Sequence, residues 1–230
     1  MARAPATPLR SPHSRWLAAV PVTLTIAIAA LLLFAWLAQG MLSTSIQHFD
    51  ITIRSNIHQH ATTWLTTSMG FITNLGDWAV VMFGTIGLFV LLWHRSARDY
   101  VQLVLITMIG AGILDGTLKL AFHRVRPDPF FGAKPNTYSF PSGHALISLC
   151  FYGLIAGMLS LRLDKSWQRG VVWTIAVVLI AAIGFSRIYL GVHWPSDVLA
   201  GYAAAMIWMG AIRQLAHHLE KRHIRKHSSS

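Results

Sequence analysis

Long apolar blocks separated by short polar segments dominate the hydrophobic pattern of this 230-residue chain. A membrane-spanning helix needs about 20 mainly apolar residues, and six blocks approach that length. They lie at Trp16–Leu37, Asp77–Trp93, Tyr100–Phe122, Ser142–Leu161, Gly170–Tyr189 and Pro195–Leu215. Apolar residues fill these blocks and are not confined to one amphipathic face. The pattern therefore predicts an all-α fold, a polytopic bundle of six transmembrane helices.

The segment between the first two blocks, Ser43–Gly76, has a mixed character. Its apolar residues recur near helical spacing, at Trp64, Leu65, Met69, Ile72 and Leu75. This spacing predicts a short amphipathic helix. Such a helix either lies in the membrane interface or packs on the bundle, and the pattern supports both alternatives.

The composition agrees with a membrane protein. The chain is 54% hydrophobic and 12% charged, whereas soluble domains carry about 25% charged residues. Cys150 is the single cysteine, which excludes an intramolecular disulfide. The net charge of +11 is explained by basic residues that flank membrane spans, so we expect contacts with membrane lipids and none with nucleic acid.

The distribution of basic residues predicts the orientation. Arginine and lysine precede the first block, occupy the loops at 94–99 and 162–169, and fill the tail after residue 216. The positive-inside rule places this side, with both termini, in the cytoplasm. We expect a basic segment at 1–15, a six-span domain at 16–216 and a basic tail at 217–230. The first block is too long for a signal-peptide core, so we expect an uncleaved helix.

Polar and charged residues gather at the opposite ends of the spans, where ionisable groups usually serve a function. Lys119 lies near the end of the third block, and Arg126 follows after six intervening residues, before Pro127. An ammonium group and a planar guanidinium fork together suit a phosphate group. Asp115, one turn before Lys119, offers the alternative of a plain structural ion pair.

The second cluster is Pro-Ser-Gly-His, in which Ser142, Gly143 and His144 open the fourth block. A helix N-terminus presents unpaired N–H groups and a positive dipole end, which favours an anion. Gly143 allows close approach to the backbone, and Ser142 adds a hydroxyl donor. A simple capped helix start is an equally good interpretation of this cluster taken alone.

The third cluster contains Arg187, His193 and Asp197 around the start of the sixth block. With a spacing of four residues, Asp197 can accept a proton from one imidazole nitrogen of His193 and leave the other nitrogen unprotonated. This is the arrangement of an activated nucleophile and its orienting group. For this spacing taken alone, a helix-capping aspartate beside an interfacial histidine is the better interpretation.

Taken in order, Lys-x6-Arg-Pro, Pro-Ser-Gly-His and Ser-Arg-x5-His-x3-Asp resemble the type 2 phosphatidic acid phosphatase superfamily, whose site is shared with vanadium haloperoxidases. The resemblance covers residues 119–197 by motif. It implies that His193 is the nucleophile, that Asp197 orients it, and that His144 is the general acid and base. It implies phosphate binding by Lys119, Arg126, Ser142, Gly143 and Arg187.

The resemblance implies hydrolysis of a lipid phosphate at the extracytoplasmic face of a cell membrane, by analogy the bacterial inner membrane. We rank undecaprenyl diphosphate first, then phosphatidylglycerophosphate, phosphatidic acid or a lipid A phosphate. His58 and His60 lack acidic partners nearby, so we expect no metal. We also expect no other cofactor and no obligatory protein partner. A transporter for an anionic substrate is the alternative, although transporters usually place their charges near the midplane.

Overall fold

The computed structural model describes residues 20–228, with side chains described for residues 23–98 and 100–215. This part of the chain contains eight helices and no strand. The helices are α1 (Val20–Gly40), α2 (Thr44–Gln59), α3 (Thr63–Asn74), α4 (Trp78–His94), α5 (Arg98–Phe122), α6 (Gly143–Ser160), α7 (Ser166–Tyr189) and α8 (Pro195–Ser228). The predicted segment 1–15 and the start of the first span at Trp16 lie outside the described residues.

The helices confirm the predicted membrane bundle. Helices α1, α5, α6, α7 and α8 are each long and apolar enough to cross a membrane. The second predicted span differs, because α4 has 17 residues and qualifies as a span only together with α3, from which it is bent by 43°. Asp77 begins α4 as its N-cap, with Oδ1 accepting a hydrogen bond from Ala79 N–H at 2.9 Å.

The short helix predicted from Trp64, Leu65, Met69, Ile72 and Leu75 is confirmed as α3, but the segment 43–76 also contains a second helix, α2, that was not predicted. Each begins at a hydroxyl N-cap, Ser43 for α2 and Thr62 for α3. Helix α3 packs on the bundle, where Thr66 Oγ1 lies 2.8 Å from the hydroxyl of Tyr189 in α7. The sequence pattern missed α2 because polar residues outnumber apolar ones along it.

The core lies where α6 meets its neighbours, and 56% of the α6 span is buried. Small residues line these contacts, as in the cluster of Ala111, Leu146, Cys150, Ala204 and Ala205. Small side chains let membrane helices approach closely. Large apolar side chains point outward instead, including Leu32, Phe83 and Ile113 at about two thirds exposure. The bundle thus offers lipid an apolar surface and keeps its polar groups inside or at its ends.

Candidate active site

The three polar clusters meet at one end of the bundle. Helix α5 ends at Phe122, and His123 follows in the left-handed conformation with φ of 48°. The chain then crosses to α6 through a loop that is hydrogen-bonded to the α7–α8 loop. The N–H groups of Phe130 and Phe131 donate to Leu190 O at 3.1 and 3.2 Å. The two loops therefore form one layer over the ends of α5 to α8.

His193 lies at the centre of this layer and is 1% exposed. Its Nδ1 lies 3.4 Å from Asp197 Oδ2, and its Nε2 lies 2.8 Å from Arg126 Nη1. Because a guanidinium only donates, the contact assigns a lone pair to Nε2 and the ring proton to Nδ1. Burial lowers the pKa of His193 to about 4, although Asp197 opposes this shift. The ring is thus held neutral, in the tautomer that a nitrogen nucleophile needs.

Arg126 is fixed by the loops around it. Its Nε and Nη2 donate to Thr137 O at 2.7 Å and to Thr137 Oγ1 at 2.8 Å, and its Nη1 donates to Val192 O at 2.9 Å. Burial lowers the pKa of Arg126, an effect that Asp197 and Asp115 oppose. The guanidinium remains a cation next to Nε2 of His193.

Two further predicted cations face the same region. Arg187, 9% exposed, donates to Thr73 Oγ1 at 2.7 Å. Lys119 Nζ lies 2.6 Å from Asp115 Oδ2, which confirms that these two residues pair. His144 interacts electrostatically with His193 and with the three cations Lys119, Arg126 and Arg187.

The N-terminus of α6 points into this group of charges. Its first backbone bond runs from Leu146 N–H to Ser142 O at 3.0 Å, so the earlier helical amides have no intrahelical acceptor. Ser142 N–H instead donates to Asp197 O at 2.9 Å, while Ser142 Oγ is buried without a partner among the described residues. A Cβ at Gly143 would lie 2.9 Å from both Lys119 Nζ and Asp115 Oδ1, so glycine is the residue that fits there.

Sequence reasoning missed a buried polar network behind Asp197. Arg124 Nη1 lies 2.6 Å from Asp197 Oδ1, and Arg124 Nη2 lies 2.8 Å from Asp50 Oδ2. Ser139 Oγ donates to Asp197 Oδ2 at 2.8 Å. Arg124 stands in the same run as Lys119 and Arg126, so its charge was visible, but no pattern pointed to Asp50 in α2.

Among the described residues, no group of three His, Cys, Asp or Glu side chains is arranged to hold a metal ion. His58 stacks on Phe130 with ring centroids 3.8 Å apart, and His60 Nδ1 contacts Asn56 O at 2.8 Å. Both rings therefore have structural contacts. Metal independence stays a prediction.

Comparisons with known proteins agree with the motifs. The PAP2 superfamily model matches residues 99–221. Phosphatidylglycerophosphatase B of Bacillus subtilis (strain 168) is 32% identical over 187 residues, 78% of this chain and 89% of that protein. The undecaprenyl-diphosphatase of Sulfolobus acidocaldarius is 32% identical over 120 residues, 49% of this chain and 53% of its own length.

The fold has a counterpart among solved structures. A transmembrane PAP2 type phosphatidylglycerolphosphate phosphatase from Bacillus subtilis superposes with a TM-score of 0.76 at 28% identity. The match covers 84% of this chain and 96% of that structure. The likeness therefore extends over most of the bundle and is not confined to the three clusters.

Proposed function

The chain belongs to the PAP2 superfamily, and from this premise we propose that it hydrolyses a lipid phosphate through a phosphohistidine formed on His193. The observation that carries the proposal is the pair of contacts on the His193 ring. Asp197 lies at Nδ1, and Arg126 donates to the Nε2 lone pair. One nitrogen is thereby protonated and oriented, and the other is directed at a guanidinium that can transfer its hydrogen bond to a phosphoryl oxygen.

In the first step, Nε2 of His193 attacks phosphorus, and the bond between phosphorus and the leaving oxygen breaks. The leaving oxygen takes a proton from His144. The ring of His193 becomes a phosphoimidazolium, whose charge the carboxylate of Asp197 stabilises across the Nδ1–H bond. The distance of 3.4 Å between Nδ1 and Oδ2 shortens as this charge develops, because catalytic hydrogen bonds often tighten in the reacting complex.

Charge on the transferred phosphoryl group is stabilised by Lys119, Arg126 and Arg187 together with Ser142 and the amide of Gly143. Phosphoryl transfer spreads negative charge over three equatorial oxygens, so positioned cations supply most of the catalysis. Three cations and a helix N-terminus meet this need without a metal ion. The unpartnered Ser142 Oγ and Arg187 Nε are the donors that a phosphate would satisfy.

In the second step, His144, now neutral, takes a proton from water, and the water oxygen attacks phosphorus. The bond between phosphorus and Nε2 breaks, inorganic phosphate leaves, and His193 returns to its neutral state. His144 again carries the proton that the next leaving group takes. The cycle consumes one water and releases one lipid alcohol, or one lipid monophosphate when the substrate is a diphosphate.

The proposed substrate is a lipid phosphate whose headgroup reaches the site from the membrane surface. We place phosphatidylglycerophosphate first, since phosphatidylglycerophosphatase B of Bacillus subtilis matches this chain over 89% of its own length. Undecaprenyl diphosphate is the second candidate, supported by a relative that matches over 53% of its length. This order reverses the ranking from sequence, because the likeness to the phosphatidylglycerophosphatase extends over more of the relative's length.

The site faces the extracytoplasmic side in this proposal, and the basic loops face the cytoplasm. In a bacterium this membrane is the inner membrane. Lys134, which pairs with Asp128 in the exposed part of the site loop, provides a test. A cysteine at this position reacts with an impermeant maleimide from outside if the orientation is correct, and only after cell permeabilisation if it is inverted.

The function is tested by phosphate release from purified protein in detergent with excess EDTA. The panel contains phosphatidylglycerophosphate, undecaprenyl diphosphate, phosphatidic acid and a lipid A phosphate. His193→Ala is the blank, and Asp128→Asn is the matched control, because its carboxylate is 94% exposed. We expect release by the wild type and the control and none by the blank. Equal turnover by the blank, or a strict requirement for Mg²⁺, would refute the mechanism.

A further inference from the structure

Helix α2 carries a buried carboxylate that the proposed reaction does not use. Asp50 is fully buried, although α2 is a mainly polar helix outside the spans. Its Oδ1 accepts from Ser196 N–H at 2.8 Å, and its Oδ2 accepts from Ser196 Oγ at 2.6 Å and Arg124 Nη2 at 2.8 Å. Every polar contact of this carboxylate therefore points to the start of α8 or to Arg124.

We propose that Asp50, acting through Arg124, is a positioning residue for Asp197 and so for the His193 nucleophile. The inference rests on the proposed phosphohistidine mechanism. Arg124 is the link, because one guanidinium nitrogen contacts Asp50 and the other contacts Asp197. Neither Asp50 nor Arg124 contacts His193 directly among the contacts of the described residues.

The geometry fixes Asp197 from both sides. Oδ1 receives Arg124 Nη1 at 2.6 Å, while Oδ2 receives Ser139 Oγ at 2.8 Å and Trp194 N–H at 2.9 Å. Oδ2 is also the atom that faces His193 Nδ1. The bond from Arg124 thus sets the rotation of the carboxylate, and that rotation decides where Oδ2 meets the ring.

The charges explain why Asp50 is needed. Arg124 is 8% exposed, and the carboxylates at its two ends are 1% and 0% exposed. If Arg124 had Asp197 as its sole partner, the pair would be neutral, and Asp197 would stabilise an imidazolium less. With Asp50 also bound, the triad carries one net negative charge in a site of low dielectric. That charge lies beside the ring that becomes a phosphoimidazolium.

Helix α2 is held in the position that the contact between Asp50 and Arg124 requires. Arg54, one turn after Asp50, lies over the Phe130 ring at 4.0 Å and donates to Asp128 O and Gly191 O. These contacts attach α2 to both loops of the site layer. The helix is therefore part of the support of the nucleophile as well as a connection between spans.

The test compares Asp50→Asn, Arg124→Gln, Arg124→Lys and the double variant Asp50→Asn/Arg124→Gln, with Asp128→Asn as the exposed control. Each purified variant is assayed for kcat and KM, for competitive inhibition by inorganic phosphate, and for thermal unfolding. We expect kcat to fall about 10- to 100-fold in each single variant, the range typical of lost support behind a reacting group. KM and the inhibition constant for phosphate stay within about twofold, since neither residue binds phosphate.

The double variant tests whether Asp50 acts through Arg124. We expect it to be no slower than Arg124→Gln alone, because the carboxylate left unpaired by the loss of Arg124 is removed as well. Arg124→Lys keeps the charge but cannot reach both carboxylates in one plane. Compared with Arg124→Gln, we expect Arg124→Lys to reverse part of the pH shift in the acid limb of kcat/KM. It should restore little of the lost kcat.

The pH profile separates positioning from a merely structural role. Besides Asp197, the ionic groups facing His193 are Arg126 from the site loop and Arg187 from α7, with His144 from α6. Removing Arg124 leaves Asp197 free to stabilise the imidazolium, so the acid limb of kcat/KM moves to higher pH. Removing the charge of Asp50 moves it to lower pH. Opposite shifts are expected because the two residues carry opposite charges close to the same ring, and the double variant then shows whether Asp50 acts through Arg124.

The inference is overturned if the single variants keep wild-type kcat, if phosphate inhibition weakens in step with kcat, or if both acid limbs move in the same direction. It is also overturned if the fall in kcat disappears once the folded fraction of each variant, taken from its thermal unfolding, is accounted for. An inactive wild type is a different result, because it refutes the proposed function before any variant is compared.

Discussion

Gly201 in α8 offers the sharpest test of the packing beneath the site. A Cβ at this position would lie 2.6 Å from Ser142 O and 2.9 Å from the Cβ of Ala145. Carbon atoms in contact are about 3.5–4.0 Å apart, so Gly201→Ala forces α8 away from the start of α6. We expect this single methyl group to impair catalysis although it touches no substrate.

The size of the effect follows from what the two helices carry. Ser142 N–H donates to Asp197 O at 2.9 Å, which holds the N-terminus of α6 against the start of α8. Overpacking of this kind costs about 1–3 kcal/mol of stability. A displacement on the order of 1 Å between His144 and His193 costs about 100-fold in rate. We therefore expect kcat/KM to fall about 10- to 100-fold, with a lower unfolding temperature.

The assay measures phosphate release and thermal unfolding of the purified variant in detergent. Gly153→Ala and Gly157→Ala are matched controls, since both glycines lie in α6 and a Cβ at either position meets nothing within 4 Å. Those variants should keep wild-type activity and gain up to about 1 kcal/mol of stability. Wild-type kcat/KM and unfolding temperature in Gly201→Ala would show that the two helices are not packed as described.

Three further predictions address the chemistry. Because burial lowers the pKa of His193 to about 4, kcat/KM should hold as the pH falls through 6 and decline only towards pH 4; a decline centred near 6.5 would contradict a buried neutral ring. Arg126→Lys should lower kcat/KM about 100-fold, because an ammonium cannot keep the contacts to Thr137 and Val192 while binding phosphate; near wild-type activity would show that charge alone suffices. Acid-sensitive, base-stable label from substrate should be retained by the wild type and lost in His193→Ala; label on a serine would overturn the assignment of the nucleophile.

Much of the bundle could be predicted because membrane helices are encoded locally. A long apolar run specifies a span without reference to the rest of the chain. The predicted span ends at Phe122 and Tyr189 and the start at Pro195 coincide with helix ends in the structure. The boundary between α3 and α4 near Asp77 was predicted, but the 43° bend between them was not, since it depends on how the two helices pack and not on their composition.

The contacts of the candidate site also differ in how far they could be predicted, according to whether they are local in sequence. Lys119 and Asp115 pair within one helix at 2.6 Å, a contact that follows from spacing alone. Arg124 and Asp50 are 74 residues apart in sequence. Ile46, Ile53 and Ile57 mark one face of α2 at helical spacing, but a carboxylate on that face gives no local sign of its buried partner. The burial of Asp50 depends on the tertiary position of α2 against α8. Local patterns could therefore identify the groups that we propose to bind phosphate but not those that support them from behind.

The resting contacts of the cations bear on how the site distinguishes its substrate from bulk lipid. Before substrate binds, Arg126 donates to His193 Nε2, Lys119 pairs with Asp115, and Arg187 donates to Thr73. A ligand must therefore displace hydrogen bonds that these three cations already make.

A phosphate monoester has three free oxygens and close to two negative charges, so it can engage all three cations at once. A phosphodiester, the form found in most membrane phospholipids, has two free oxygens and one charge and leaves part of the resting arrangement intact. Under the proposed function, the hydrogen bonds that the cations already make therefore favour a terminal phosphate over the diesters that surround the protein in large excess.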